Sequence, residues 1–202
     1  MSIPKNHYFN PTPTVASRPH AVRLRAGGLD LELQADRGVF GARRIDLGTL
    51  VLLKEAPAPP AHGDILDLGA GYGPIAIFLA KASPAARVWA VDINQRALEL
   101  ARANVETAGL GNVTVAAPDD VPEEVRFAAI YSNPPVRIGK AALHELLERW
   151  LDRLAPGGVA YLVVQRNMGS DSLATWLAAS GRPVERVKSK KGYRVLGVGQ
   201  KA

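Results

Sequence analysis

The stretch that decides the fold is DILDLGAGYGP, residues 64–74. It begins as a short, mostly apolar run typical of a buried strand, continues with Gly69, Gly71 and Gly73, and ends at Pro74, which suits the first turn of a helix. Glycines let the backbone turn sharply and let a ligand approach it closely. The pattern therefore predicts a strand, a tight ligand-binding loop and a helix.

The rest of the chain from about residue 63 repeats this alternation of strand and helix. Alternation of this kind predicts a parallel sheet covered on both faces. Two strand patterns follow the last helical stretch and lie close together, which favours a final antiparallel pair. The predicted fold class is α/β, a Rossmann-like, seven-stranded, mostly parallel sheet with helices on both faces and an N-terminal extension. The predicted strands are DILDLG, ARVWAVD, NVTVAA, FAAIYSN, GGVAYLVVQ, VERVK and YRVLGVGQ.

The first 60 residues have a different character. Two alternating stretches, AVRLRA and LDLELQ, are joined by Gly27 and Gly28, which predicts a hairpin. IDLGTLVLLKEA then predicts a short helix, and a proline-rich connector follows it. We expect residues 1–60 to form an extension that packs on a catalytic core formed by residues 61–202.

Composition narrows the classes of function. The 202 residues contain no cysteine, which excludes disulfides, thiolate zinc sites and a cysteine nucleophile, and the four histidines show no metal-ligand spacing. No stretch approaches the length of a membrane span and the start has no secretory signal, so we expect a cytoplasmic protein with no membrane and no metal. The net charge of +6 favours a polyanionic partner, while the oligomeric state stays open. Basic residues crowd two segments, Arg18 to Arg44 and Lys188 to Arg194.

A cofactor site is predicted at the glycine loop. Asp92 ends the next strand, 23 positions after Gly69, where a carboxylate can accept hydrogen bonds from both ribose hydroxyls. The loop reads Gly-x-Gly-x-Gly behind an acid, Asp67, which would repel a pyrophosphate and suits a ligand with positive charge, such as S-adenosylmethionine. The predicted cofactor-binding residues are Asp67, Gly69, Gly71, Tyr72, Gly73, Asp92, Ile93 and Asp119, with Asp120 an alternative to Asp119 as the acceptor for the adenine amino group.

The fourth predicted strand ends in AIYSNPPV, residues 129–136. An Asn-Pro pair is most often only a turn, but the carboxyl ends of strands near the switch point of such a sheet face the ligand crevice. DLGAGYG, Asp92 and NPP together resemble class I S-adenosylmethionine-dependent methyltransferases, whose Asn/Asp-Pro-Pro motif marks enzymes that methylate amino or amide nitrogen. The resemblance implies that Asn133, Pro134 and Pro135 are catalytic.

The chemistry explains these residue types. An amino group on a purine is a poor nucleophile because its lone pair is delocalised into the ring. The Asn133 side-chain carbonyl and the Pro134 backbone carbonyl can each accept one amino hydrogen, and the prolines fix both acceptors in place beforehand. The methylated nitrogen can release its proton to water, so no general base is assigned.

Many such enzymes follow the motif with an aromatic residue, whereas this chain has Val136. NPPVRIGK more closely resembles the small-domain methyltransferase family that includes ribosomal RNA guanine-N2 methyltransferases, as do HYFNPTP, DRGVFGARRIDLGTLVLL and KGYRVL. The resemblance implies guanine N2 in ribosomal RNA as the target and ribosomal RNA or a ribosomal subunit as the partner. It assigns substrate contacts to Phe40, Val136 and Arg137.

Three other functions stay open from the sequence. The chain could methylate adenine N6 or another amino group in nucleic acid, protein or a small molecule. It could be an RNA-binding protein that uses the fold without turnover, although such a protein has no need of Asn133 and its prolines. A nicotinamide-dependent dehydrogenase is disfavoured by the glycine spacing.

Overall fold

A computed structural model describes residues 15–201. The motif HYFNPTP, residues 7–13, lies outside the described residues. In chain order the helices and strands are β1 (His20–Ala26), β2 (Leu29–Ala35), α1 (Leu47–Glu55), β3 (Asp64–Leu68), α2 (Pro74–Ala82), β4 (Arg87–Val91), α3 (Gln95–Thr107), β5 (Val113–Ala116), β6 (Phe127–Ser132), α4 (Lys140–Leu151), β7 (Leu154–Gln165), α5 (Ser170–Ala179), β8 (Val184–Lys190) and β9 (Tyr193–Gly199).

Seven strands form the main sheet in the order β5-β4-β3-β6-β7-β9-β8. The first five strands in this order pair in parallel, and β9 lies antiparallel between β7 and β8. The sequence prediction of a mostly parallel, seven-stranded sheet with a final antiparallel pair is confirmed. The chain leaves β3 toward one edge of the sheet and β6 toward the other, so a crevice opens between their carboxyl ends.

Both faces of the sheet are covered. One apolar core packs α1, α2 and α3 against the sheet, and the other packs α4 and α5 against the opposite face. Trp150 and Phe127 are completely buried in the second core, with their ring centroids 6.0 Å apart. The central strands are mostly apolar on both sides because both of their faces are buried, as in other parallel sheets, with Asp67 of β3 an exception.

The hairpin of β1 and β2 forms a sheet of its own and packs on α2 and α3. Asn104, buried on α3, accepts a hydrogen bond from the Gln34 backbone N–H at 2.7 Å and donates one to the Gln34 carbonyl at 2.9 Å. Its amide thus replaces the strand neighbour that β2 lacks on this side. The turn at Gly27 packs so closely on Phe78 that a Cβ there would lie 2.6 Å from the ring. The predicted hairpin is confirmed, while the domain boundary at residue 60 stays a prediction.

Helix α1 carries the chain from the extension toward the sheet and contacts β7 and β9. Asp46 precedes it with an extended backbone, and its Oδ1 accepts hydrogen bonds from the Gly48 and Thr49 backbone N–H groups at 2.8 and 3.3 Å. A side-chain acceptor at this position satisfies N–H groups that have no partner within the helix. The cap places Asp46 near the carboxyl ends of the strands. Within residues 15–201, no helix has the length and apolar character needed to cross a bilayer.

Candidate active site

A cavity of about 240 Å³ opens at the carboxyl ends of the parallel strands. It lies at the switch point of the sheet, where ligands bind in open α/β folds. Many of the predicted site residues line it, namely Phe40, Gly69, Asp92, Ile93, Asn133, Pro134, Pro135, Val136 and Arg137. Residues that were not predicted line it as well, among them Asp46, Pro118, Gln165, Met168 and Tyr193.

The glycine loop turns through three left-handed positions, with φ of +77° at Gly69, +57° at Gly71 and +93° at Gly73. A Cβ on Gly69 would meet no atom within 4 Å, so a ligand can come directly against the backbone there. The N–H groups of Gly69 and Ala70 both donate to the Val91 carbonyl, at 2.9 and 3.0 Å. These two N–H groups are therefore not free for a ligand, because the carbonyl of Val91 in β4 already accepts from both.

Asp92 is the central carboxylate of the site. Its Oδ2 accepts a hydrogen bond from the Gly71 N–H at 2.8 Å, and its Oδ1 accepts one from the Asn94 N–H at 2.9 Å. Burial raises the pKa of the Asp92 carboxyl, while the N–H donors, including that of Ile93, act to lower it. These hydrogen bonds orient the carboxylate. Each of its oxygens keeps a further lone pair, so it can still accept hydrogen bonds from two hydroxyls.

Asp67 lies behind the loop rather than on the cavity lining. It is fully buried, its Oδ2 accepts from the Ala76 N–H of α2 at 2.8 Å, and its Oδ1 has no hydrogen-bond partner in the described part of the chain. Burial, together with a smaller contribution from the nearby Asp92 charge, raises its pKa to about 8, although the hydrogen bond from the Ala76 N–H acts to lower it. In this structure Asp67 supports the start of α2, and its cofactor contact stays a prediction.

Tyr72 and Gly73 also lie away from the cavity lining. The Tyr72 hydroxyl donates to the Gly41 carbonyl at 3.3 Å, and its ring is buried in the core that joins the extension to the sheet. Gly73 begins α2, where a Cβ would lie 3.5 Å from that of Ala101. The structure shows both residues packing the loop in place, whereas the sequence suggested a direct contact of Tyr72 with the cofactor.

Asp119 lies outside the cavity lining in this structure, and its contact with adenine stays a prediction. Its carboxylate pairs with Arg149 at 2.8 Å, and its side chain is 89% exposed. Asp120 turns back to the Ala117 N–H at 3.4 Å. The residue of this loop that lines the cavity is Pro118, which offers an apolar face instead of an acceptor.

Asn133 follows β6 directly, and hydrogen bonds hold the nitrogen of its side-chain amide. Its Nδ2 donates to Asp46 Oδ1 at 2.7 Å and to Thr49 Oγ1 at 3.1 Å. Both acceptors belong to the start of α1. The amide oxygen is therefore the end of this side chain that remains for a ligand.

The two prolines form a tight turn after Asn133. Pro135 has φ −76° and ψ 69°, and the Val136 N–H donates to the Pro134 carbonyl at 2.8 Å, as in an inverse γ-turn. The Pro134 carbonyl thus already accepts one hydrogen bond and has one lone pair left. Pro134 is buried and Pro135 half-buried, so the turn is fixed by packing as well as by its rings.

The predicted substrate contacts surround the opening of the cavity. Phe40 is 43% exposed, unusually high for a phenylalanine, and Arg137 is exposed on the turn after the prolines. Val136 is half-buried and packs beside the second core. The structure brings these three residues to the same opening as Asn133 and Asp92.

A wider recess of about 800 Å³ adjoins the cavity and shares Phe40 and Asp92 with it. Its lining includes the exposed residues Arg18, Arg37 and Arg43. Among residues 15–201, no ion pair neutralises these three guanidinium groups. By contrast, Lys190 in the second basic segment pairs with Glu55 at 2.6 Å.

The residues present fit S-adenosylmethionine. A half-buried, oriented carboxylate at the end of β4 suits ribose hydroxyls, Ile93 and Pro118 suit a planar base, and Gly69 leaves room for close approach to the backbone. The described residues hold no group of three or more His, Asp or Glu side chains arranged for a metal ion. The fold and the site define a methyltransferase of the Rossmann-like class.

Comparison with known proteins identifies the family. Residues 30–197 match the methyltransferase small domain, and the chain belongs to that family. It is an S-adenosylmethionine-dependent methyltransferase, which confirms the predicted class of enzyme and cofactor. The chain is similar over 193 residues to the uncharacterized protein YbxB of Bacillus subtilis, with 33% identity, 94% of this chain and 96% of the other covered.

Two further relatives are ribosomal RNA methyltransferases. The small subunit methyltransferase C of Aeromonas hydrophila is 38% identical over 131 residues, which is 64% of this chain and 37% of that protein. The solved 16S rRNA N2 G1207 methyltransferase of Thermus thermophilus, in complex with AdoMet and guanosine, has a TM-score of 0.71 and 25% identity, covering 94% of this chain and 52% of that one. The chain thus spans about half the length, or less, of these two relatives.

Sequence reasoning missed Asp46, Thr49 and the role of the extension in holding Asn133. The available signal was the acid directly before a predicted helix, which is typical of a cap. A capping pattern does not predict a contact with Asn133, which lies 87 positions away in the chain. That contact depends on how α1 packs against the sheet.

Proposed function

We propose that this protein transfers a methyl group from S-adenosylmethionine to the N2 amino nitrogen of a guanine in ribosomal RNA. The observation that carries the proposal is the Asn133 amide, which lies beside Asp92 with its nitrogen occupied by Asp46 and Thr49. Its oxygen is left as an acceptor at the point where a methyl acceptor would enter. The guanosine-bound Thermus relative, which acts on N2 of a guanine, supports the choice of base.

The cofactor would be held at the ends of β3 and β4. Asp92 would accept from the ribose hydroxyls, Ile93 and Pro118 would lie against adenine, and the backbone at Gly69 would approach the rest of the molecule. When bound, S-adenosylmethionine supplies a methyl group on a positively charged sulfur. Asn133 adds no positive charge beside that sulfur, unlike a lysine or arginine donor.

The Asn133 and Pro134 carbonyl oxygens would each accept one hydrogen of the substrate amino group. Two acceptors draw the nitrogen lone pair out of conjugation and aim it at the methyl carbon. The Pro134 carbonyl keeps one lone pair for this contact after its bond to the Val136 N–H. A nitrogen–carbon bond forms as the sulfur–carbon bond breaks, and the nitrogen then releases a proton to water.

The base would enter between Phe40 and the proline turn. Val136 provides a small apolar surface where related motifs have an aromatic ring, and the Phe40 ring of the extension lines the same cavity. A base that enters there would contact both the extension and the motif.

The RNA backbone would follow the arginine-lined recess. Arg18, Arg37 and Arg43 lie next to the cavity and carry no ion pair within the described residues. Unpaired guanidinium groups beside a catalytic opening suit phosphates on either side of an extruded nucleotide. Lys190 contributes less charge than the sequence suggested because Glu55 neutralises it.

Methyl transfer to defined substrates tests the proposal. Tritiated S-adenosylmethionine is incubated with the protein and with small subunits, large subunits or naked ribosomal RNA, and the labelled RNA is digested to nucleosides. We expect N2-methylguanosine. N6-methyladenosine would support the adenine alternative, and cofactor binding without any labelled product would support an RNA-binding protein that does not turn over.

A further inference from the structure

The start of α1 and the end of β6 meet at one hydrogen-bonded pair. Asp46 Oδ1 accepts from Asn133 Nδ2 at 2.7 Å while the same oxygen caps α1 through Gly48 and Thr49. Thr49 Oγ1 accepts from the same amide nitrogen at 3.1 Å. Thr49 is 4% exposed, so its hydroxyl is fixed inside the protein.

Chemistry alone determines which end of the Asn133 amide faces Asp46. An ionised carboxylate can only accept hydrogen bonds, so the nitrogen must face it and the amide oxygen must face the other way. The reversed amide would place its oxygen against a carboxylate oxygen at hydrogen-bond distance, which is repulsive. The orientation therefore follows from residue types as well as from the coordinates.

We propose that Asp46, assisted by Thr49, is a positioning residue that fixes the Asn133 amide with its oxygen toward the methyl acceptor. The inference rests on the proposed function, because it assumes that the Asn133 oxygen accepts from the substrate. It also accounts for asparagine, rather than aspartate, before the prolines in this chain. A carboxylate at position 133 would face the Asp46 carboxylate across 2.7 Å.

This arrangement makes the N-terminal extension part of the catalytic geometry. Without Asp46, both orientations of the amide become accessible and the side chain regains rotational freedom. An acceptor that must be ordered at each turnover contributes less to the rate than one ordered in advance. The expected loss falls on methyl transfer rather than on cofactor affinity, since Asp92 is held by Gly71 and Asn94 instead.

The test uses Asp46→Ser in the full chain. Serine is as good a helix cap as aspartate, but its shorter side chain does not reach Asn133. We expect an unchanged melting temperature and cofactor affinity, with single-turnover methyl transfer to RNA about tenfold slower. Thr49→Val should slow transfer by about twofold to threefold, and Thr49→Ser should restore it.

A double-mutant cycle separates positioning from general damage. If Asp46 acts through Asn133, then Asp46→Ser should slow transfer no further in an Asn133→Ala background. A structural role would slow it by the same factor in both backgrounds and would overturn the inference. Wild-type transfer by Asp46→Ser would overturn it as well.

A readout independent of catalysis is the NMR signal of the Asn133 side-chain amide, identified by its absence in Asn133→Ala. Its protons should exchange with water faster in Asp46→Ser than in the wild type, and an equal rate would contradict the inference. Failure of the proposed function would look different. Near-normal transfer by Asn133→Ala would show that the amide is not the acceptor and would contradict the proposed function. An inactive Asn133→Ala together with a fully active Asp46→Ser would contradict only the role of Asp46.

Discussion

Two regions of the chain form the site, the carboxyl ends of the sheet strands and the N-terminal extension. The carboxyl ends of β3, β4 and β6 supply the glycine loop, Asp92 and Asn133, each at a position fixed by the sheet. The extension, residues 15–60 of the described chain, supplies Phe40, Asp46 and the arginines through a hairpin, a loop and the start of one helix. In the proposed function, the sheet would provide cofactor binding and the reactive position, while the extension would provide alignment and contact with RNA.

The largest expected effect is that of changing Asn133, which belongs to the part of the site formed by the sheet. Asn133→Ala should leave cofactor binding nearly unchanged and slow single-turnover methyl transfer by at least about a hundredfold, because one of two preorganised acceptors is lost. Rapid-quench kinetics with labelled cofactor and calorimetry separate the two quantities. Turnover close to the wild-type rate would show that Asn133 is only a turn residue.

The second prediction concerns Asp92, the carboxylate that is proposed to bind the ribose of the cofactor. Asp92→Ala should weaken S-adenosylmethionine binding by about 1–3 kcal/mol, the cost of leaving ribose hydroxyls without an acceptor. Calorimetry measures the affinity, and Glu124→Ala, which removes an exposed carboxylate from the loop before β6, serves as the control. Equal affinities for the two variants would refute the ribose contact.

The third prediction concerns the extension, whose arginines are expected to contribute to RNA affinity rather than to cofactor affinity. Arg43→Glu should weaken RNA binding about tenfold and reduce the slope of log affinity against log salt by about 0.7, the value for one phosphate contact on a single strand. Arg126→Glu makes the same charge change at an exposed position next to the opposite end of β6 and should have little effect. If both reversals weaken binding equally, the recess has no special place in RNA binding and only net charge matters.

A further prediction, on stability rather than on activity, is a pH dependence that comes from Asp67. Its pKa of about 8 in the folded protein lies above the ordinary value of 3.8, so the folded state binds the proton more tightly than the unfolded state. Stability from this group is complete below about pH 4 and is lost as pH rises toward 8. Denaturant unfolding of the cofactor-free protein should show this decline, and Asp67→Asn should flatten it. Parallel profiles for the two proteins would mean that burial of Asp67 carries no such penalty.

The sheet side of the site could be predicted from sequence because its rules are local and topological. Apolar runs, a glycine loop and an acid at the next strand end predict where the cavity lies in this fold, and the place of Asn133 follows from the end of β6. The hairpin and α1 were also predictable, since alternation and capping are encoded in short stretches.

The extension side could be predicted only as separate elements. Asp46 contacts Asn133, and Asn104 contacts Gln34, only because α1 and the hairpin dock on the sheet in one particular way. Asp119 shows the converse case: its place after β5 suggested an adenine contact that stays a prediction, whereas the structure pairs its carboxylate with Arg149 of α4 outside the cavity lining. Contacts between distant segments carry no periodicity or spacing that a single sequence displays.

The most direct test of the central claim uses the substrate rather than the protein. Once the methylated nucleotide is mapped, an RNA with inosine at that position lacks only the amino group on which Asn133 and Pro134 are proposed to act. We expect the inosine RNA to bind about as tightly as the guanosine RNA and to receive no methyl group. Continued methylation of the inosine RNA would contradict it, because the methyl group would then go to an atom other than N2.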